Sequence, residues 1–262
     1  MSHSNNCLNC DEPVSKKFCP NCGQKTDNHR ITFKHFIFHD ILHGVWHIEK
    51  GILFTLKEAL LRPGKAALDY ISGKRIRYYN VFYLTLIIIG LLIFINHVQN
   101  ELSHYYFNTR LNPETDNAGK KIDTFLSSYS KLIIFAFIPL FAINSFIVYG
   151  RKKLNLSEHF IIAGMIYLGV IIINLISMLL FFIEYIDPTY LFFDFLNYAT
   201  PSIILLFIIF NYYKTFSENY SKLQNILRVF LFILLLFIEL IILVILIFGY
   251  FTNWEFKLKM VY

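Results

Sequence analysis

The sequence predicts an all-α polytopic membrane protein of about five transmembrane helices, with a small N-terminal ribbon and amphipathic interfacial helices between the two. Three observations predict it. The chain has 262 residues, of which 56% are hydrophobic and only 16% charged, too apolar a balance for an ordinary soluble domain. Its apolar residues fall in long blocks, several of them near the ~20 residues a helix needs to cross hydrocarbon. All four cysteines precede the first block, as Cys7-x2-Cys10-x8-Cys19-x2-Cys22.

The ribbon comes first, over residues 1–28. Two Cys-x2-Cys turns supply two thiolates each without strain, and four thiolates suit tetrahedral zinc, so Cys7, Cys10, Cys19 and Cys22 are the expected metal ligands. Pro20 fixes φ and Gly23 is free to take positive φ behind the last thiolate, which makes residues 19–23 a good metal knuckle. The short spacer between the paired turns leaves no room for a catalytic pocket. A closed, structural site follows, and such zinc contributes on the order of 10–16 kcal/mol to folding. Two disulfides are the alternative. Against them stands the absence of an export signal ahead of the cysteines, which points to a reducing compartment. A thioredoxin-like redox pair would need a βαβ pattern that neither turn has.

Residues 29–80 form the second region, read as amphipathic and interfacial. His35, His39, His43 and His47 recur every fourth residue, a step that advances about 40° around a helix and draws a slowly spiralling stripe. Ile37, Ile41, Val45 and Ile48 fall on the opposite side, with Gly44 the weak point, so the segment reads as a helix lying on a membrane surface. The histidines then have two readings. They are the polar face toward lipid headgroups, or imidazoles at i and i+4 that hold a second metal or a haem or relay protons. A second helix over about 51–61 is stopped by Arg62-Pro63-Gly64, and Ala66 to Ser72 forms a further short surface helix before Gly73.

The transmembrane domain occupies 81–262, with spans expected at Val81 to Val98, Leu132 to Tyr149, Phe160 to Ile183, Tyr190 to Phe210 and Leu227 to Phe251. Asp194, Asn197 and Pro201 interrupt the fourth, which is expected to be kinked or re-entrant. Half of the 24 basic residues precede position 81, and Lys74, Arg75 and Arg77 abut the first span. The positive-inside rule then holds the N-terminus in the cytoplasm. Five crossings add residues 151–153, Lys214, Lys222 and Arg228 to that side, leaving Arg110, Lys120, Lys121, Lys131, Lys257 and Lys259 on the other. The basic head also carries acids such as Asp11, Glu12, Asp40, Glu49 and Glu58, so anionic membrane lipid suits it better than nucleic acid.

Several blocks in order carry a resemblance: Cys19-Pro20-Asn21-Cys22-Gly23-Gln24-Lys25, His29 to His35, Glu49-Lys50-Gly51 to Glu58, Arg62-Pro63-Gly64, and Tyr70-Ile71-Ser72-Gly73-Lys74-Arg75. Together they resemble a bacterial family of unknown function, domain-of-unknown-function family 3667, over roughly the first eighty residues. The resemblance implies a ribbon joined to a multi-span domain in the bacterial inner (cytoplasmic) membrane, and no assigned reaction. One departure is Asn80-Val81-Phe82, where the family tends to have Asn-Pro-Phe.

Inside the spans, carboxylates are costly and are functional candidates. Glu239 lies in the middle of the longest apolar run and Asp194 in the fourth block. Asn144, Asn174, Asn197 and His97 could bond to them across helices as polar glue, and a proton or ion path is the other reading. No nucleotide loop, Ser-His-Asp order or zinc-protease helix is present in the sequence. The leading expectation is therefore a non-enzymatic scaffold or sensor with membrane lipid and a cytoplasmic protein as partners, with oligomers allowed. The rivals are a small transporter or channel using Glu239 and Asp194, and a membrane-embedded metal-dependent enzyme using the His35, His39, His43 and His47 stripe.

Overall fold

The computed structural model describes residues 6–26, 51–107, 117–150, 154–185, 190–252 and 254. After the cysteine head come two short helices, α1 (Ile52–Leu61) and α2 (Pro63–Ile71), and five long ones: α3 (Val81–Phe107), α4 (Asn117–Tyr149), α5 (Leu156–Phe181), α6 (Tyr190–Phe216) and α7 (Lys222–Phe251). A 3-10 turn, Phe182–Tyr185, extends α5. Each long helix holds a stretch apolar enough to cross a membrane, so the protein is an all-helical membrane protein with five candidate spans.

The element boundaries follow from local chemistry. Pro63 occupies the first turn of α2, where its missing N–H costs nothing. Asn80 opens α3: its Oδ1 accepts from the backbone N–H of Phe82 at 3.0 Å and of Tyr83 at 3.4 Å. This is N-cap geometry, and Val81 takes the next position without needing a proline. At α5, Asn155 and Glu158 form a capping box, with Glu158 N donating to Asn155 Oδ1 at 2.9 Å and Asn155 N donating to Glu158 Oε2 at 2.7 Å. The box explains why a carboxylate can be buried at the mouth of an apolar helix.

Helix α5 is the axis of the bundle. It is the most enclosed span and packs against α1, α2, α3, α4 and α6, whereas α7, the least enclosed, packs on α4 and α6. Gly169 lets α1 and α6 press onto it, since a Cβ there would overlap the Ala59 carbonyl and the Phe207 ring. Small residues allow the same approach in membrane bundles generally. Helices α1 and α2 each bury one face against the bundle: Thr55, Glu58 and Ala59 from α1, and Pro63, Gly64, Ala66 and Ala67 from α2.

Helix α6 is the span expected to be kinked or re-entrant. It runs unbroken through Pro201 rather than turning back as a re-entrant segment. Proline removes one backbone donor, but a span tolerates that loss where neighbouring helices and Ser/Thr side chains offer polar groups. Here Ser177 Oγ and Thr200 Oγ1 share a hydrogen bond of 2.7 Å just beside it. Other polar links join the helices at Tyr167 Oη to the Ile134 carbonyl, Gln99 Nε2 to the Met178 carbonyl and Asn225 Nδ2 to the Tyr213 carbonyl, each at 2.7 Å.

Candidate functional site

The cysteine head is a two-fold repeat built from one turn used twice. Cys7 N donates to the Glu12 carbonyl and Cys19 N to the Gln24 carbonyl, both at 2.8 Å; Asp11 N donates to the Cys7 carbonyl and Gly23 N to the Cys19 carbonyl, both at 2.9 Å. Single antiparallel bridges close each turn, Asn6 with Pro13 and Phe18 with Lys25. Asp11 and Gly23 occupy equivalent positions with φ of 59° and 73°. The left-handed conformation is what turns the chain back after each second cysteine.

The repeat brings four sulfurs together. All lie within 4.8 Å of one another, and the Cys7–Cys22 and Cys10–Cys19 pairs are each 3.6 Å apart. That is too long for a disulfide, and all four are free thiols. It is close to the edge of a tetrahedron with metal–sulfur bonds of about 2.3 Å, roughly 3.8 Å. The cluster is therefore shaped to hold a metal ion. Ionisation is shared unevenly within it. Burial works against Cys22, but the Gln24 backbone N–H, the Asn9 side chain and the Cys7 and Cys10 thiols outweigh it and bring Cys22 down to about 6. The Glu12 backbone N–H favours the Cys10 thiolate, yet burial and the three other sulfurs push Cys10 up to about 12.

The head is seated on the membrane domain through the turn between α2 and α3. Gln24 is 4% exposed, and its Nε2 donates to the Gly73 carbonyl at 2.7 Å. Its Oε1 accepts from the backbone N–H of Arg75 at 3.2 Å and of Ile76 at 3.3 Å. Arg77 reaches back with Nε to Asn9 Oδ1 at 3.1 Å and Nη2 to the Asn9 carbonyl at 3.2 Å. Leu8 covers Gly73 so closely that a Cβ there would come within 2.6 Å of Leu8 Cδ1. The turn is anchored in its own right, because Tyr79 N donates to the buried Thr55 Oγ1 at 2.8 Å. Glu58, buried in α1, is held by both Nε and Nη2 of Arg62, at 2.6 and 2.8 Å.

Within the spans, Glu239 of α7 meets Asn144 of α4, whose Nδ2 donates to Glu239 Oε2 at 2.7 Å. Asn174, Asn197 and His97 lie on the outer surface of the bundle. Asp194 falls in α6, and its side chain is outside the described residues, as are His35, His39, His43 and His47. Sequence reasoning did not single out several polar residues that the fold uses. Ser145 and His159 share a hydrogen bond of 2.8 Å but are fully buried, which makes the pair a helix link rather than a reactive dyad. Arg228 donates to the Val148 carbonyl and stacks over the Tyr220 ring at 4.2 Å, and Tyr220 Oη donates to the Tyr149 carbonyl at 3.3 Å. These donors satisfy carbonyls that the last turn of α4 leaves without a helical partner, at a C-terminal end where a cation is favourable.

Fold and site together define a class: a five-span helical membrane protein carrying a four-cysteine head. A family described as Protein of unknown function (DUF3667) matches residues 49–92. That stretch contains α1, α2, the turn that receives the head and the first part of α3. No curated protein and no solved structure matches the chain.

Proposed function

We propose that the protein is a non-enzymatic membrane scaffold or sensor whose head is a structural zinc ribbon. The carrying observation is Gln24, whose backbone faces the cysteine cluster while its side chain is bound to three residues of the turn leading into α3. A head held this way is coupled to the membrane domain, so metal loss or partner binding at the ribbon is transmitted to the start of α3. Phe18, 58% exposed on the ribbon, offers a cytoplasmic protein partner an apolar anchor. Zinc suits the four-thiolate set better than hard cations, which prefer oxygen.

The same reading puts the protein in a bacterial inner membrane with its N-terminus in the cytoplasm. Support comes from α2 packing on α6 beside Thr215, because this brings Arg62 and Lys65 to the same end of the bundle as Lys214 and Lys222. The positive-inside rule assigns that end to the cytoplasm.

Transport through Glu239 and Asp194 is the other reading. Glu239 has a partner in Asn144, and the nearby cavity of about 320 Å³, lined by Phe141, Tyr167, Ile208, Leu236 and Leu240 among others, is apolar. Both features support glue over an ion path. Complementation of a deletion strain separates the two. The scaffold reading expects Cys22→Ser to abolish rescue and Glu239→Gln to preserve it, and the opposite pattern overturns it.

A further inference from the structure

A cavity of about 550 Å³ lies where α2 meets the C-terminal end of α6 and the turn that follows. Its wall includes Arg62 and Lys65 from α2 and Lys214 from the last turn of α6, with buried Asn211 and Thr215 beside them and Glu218 at the turn. Gly64 sets the closeness of the two helices, because a Cβ on it would overlap Thr215 Oγ1.

Among the described residues, Arg62 is paired within the protein and the two lysines of this cavity are not. Lys65 and Lys214 form no ion pair with any carboxylate among the described residues. The Lys214 ammonium lies instead over the Phe210 ring at 5.5 Å. Arg62 is neutralised by Glu58 through Nε and Nη2, yet a guanidinium has five N–H donors, so three are not used by Glu58. Glu218 is the single acid among the described residues of the wall. The position adds a second constraint. Lys214 ends an apolar helix, which puts the cavity at the level where hydrocarbon gives way to headgroups and water. Basic pockets between helices at that level are suited to anionic headgroups.

We infer that this cavity binds a phosphate group through Lys65, Lys214 and the outward edge of Arg62, carried either by an anionic phospholipid or by a soluble phosphate compound. The two sources share one recognition chemistry, and they differ in how the ligand arrives: laterally from the leaflet, or from the aqueous side.

The test uses the full chain in nanodiscs of phosphatidylcholine. Phosphatidylglycerol is titrated in and bound lipid counted by native mass spectrometry; inorganic phosphate is titrated separately and followed by phosphorus NMR line broadening. Lys65→Gln with Lys214→Gln should weaken binding by about tenfold, as loss of two charge-assisted contacts in a half-open site implies. Lys214→Gln alone should weaken it less, and serves if the double variant does not fold. Lys121→Gln, at the other end of the bundle, should change nothing. Two-lysine-dependent binding of phosphatidylglycerol alone assigns the lipid source, and the same dependence for inorganic phosphate assigns the soluble one. Wild-type protein that binds neither probe, or lysine variants that bind as tightly as wild type, overturns the inference.

Discussion

Gln24 Nε2 donates a 2.7 Å hydrogen bond to the carbonyl of Gly73, across 49 residues of chain. The same glutamine accepts the Cys19 N–H with its own carbonyl, so one residue belongs both to a cysteine turn and to the seat of the head. Replacing Gln24 with Ala removes three side-chain hydrogen bonds, one of them buried, and leaves the Gly73 carbonyl with the Arg75 N–H as its remaining donor. The head should then be held less firmly by about 1–3 kcal/mol. Limited proteolysis should cut faster in the 73–77 turn while bound metal stays unchanged; an unchanged cleavage rate would mean that Gln24 does not seat the head.

The cysteine cluster should bind one metal ion per chain. Cys19→Ser or Cys22→Ser removes a ligand on which both turns converge, and the purified variant should lose that ion and acquire a protease-sensitive head. Elemental analysis of wild type and variants checks this. Disulfides trapped between these cysteines in whole cells would oppose it.

Glu239 and Asn144 should behave as helix glue. Glu239→Gln keeps an acceptor for Asn144 Nδ2 and should leave the detergent melting midpoint near wild type. Glu239→Leu strands the amide of a residue that is 1% exposed and should cost about 1–3 kcal/mol. A Gln variant as unstable as the Leu variant would show that the charge, not the hydrogen bond, matters.

Topology gives a further expectation. A thiol at Ser217, in the turn between α6 and α7, should label from the cytoplasmic face, and one at Lys121, near the start of α4, from the opposite face. Labelling of both from one side contradicts the arrangement of spans.

Much of this architecture was readable from the residues. The apolar blocks located all five spans, and the start at Val81 was observed where expected, with Asn80 as its cap. The blocks mark hydrocarbon rather than helix, which is why α4 begins at Asn117 and not at Leu132. Its first turns are polar but include residues that tolerate helix well. The capping box at Asn155 and Glu158 carries a legible spacing and could have set the start of α5. The seat of the head was not legible. Gln24 and Gly73 sit in short turns without periodicity, and periodicity is what reveals a face. The link between Asn144 and Glu239 was half legible: both stood out as polar residues in apolar blocks, but only packing decides that Asn174 faces outward while Asn144 faces α7.

Coupling between head and membrane domain is the central claim, and hydrogen–deuterium exchange measured before and after metal removal by a chelator tests it most directly. The account predicts that backbone N–H groups of Cys19 and Gly23 in the head and of Arg75 and Ile76 in the turn lose protection together. A head that opens on chelation while Arg75 and Ile76 stay as protected as before would contradict it.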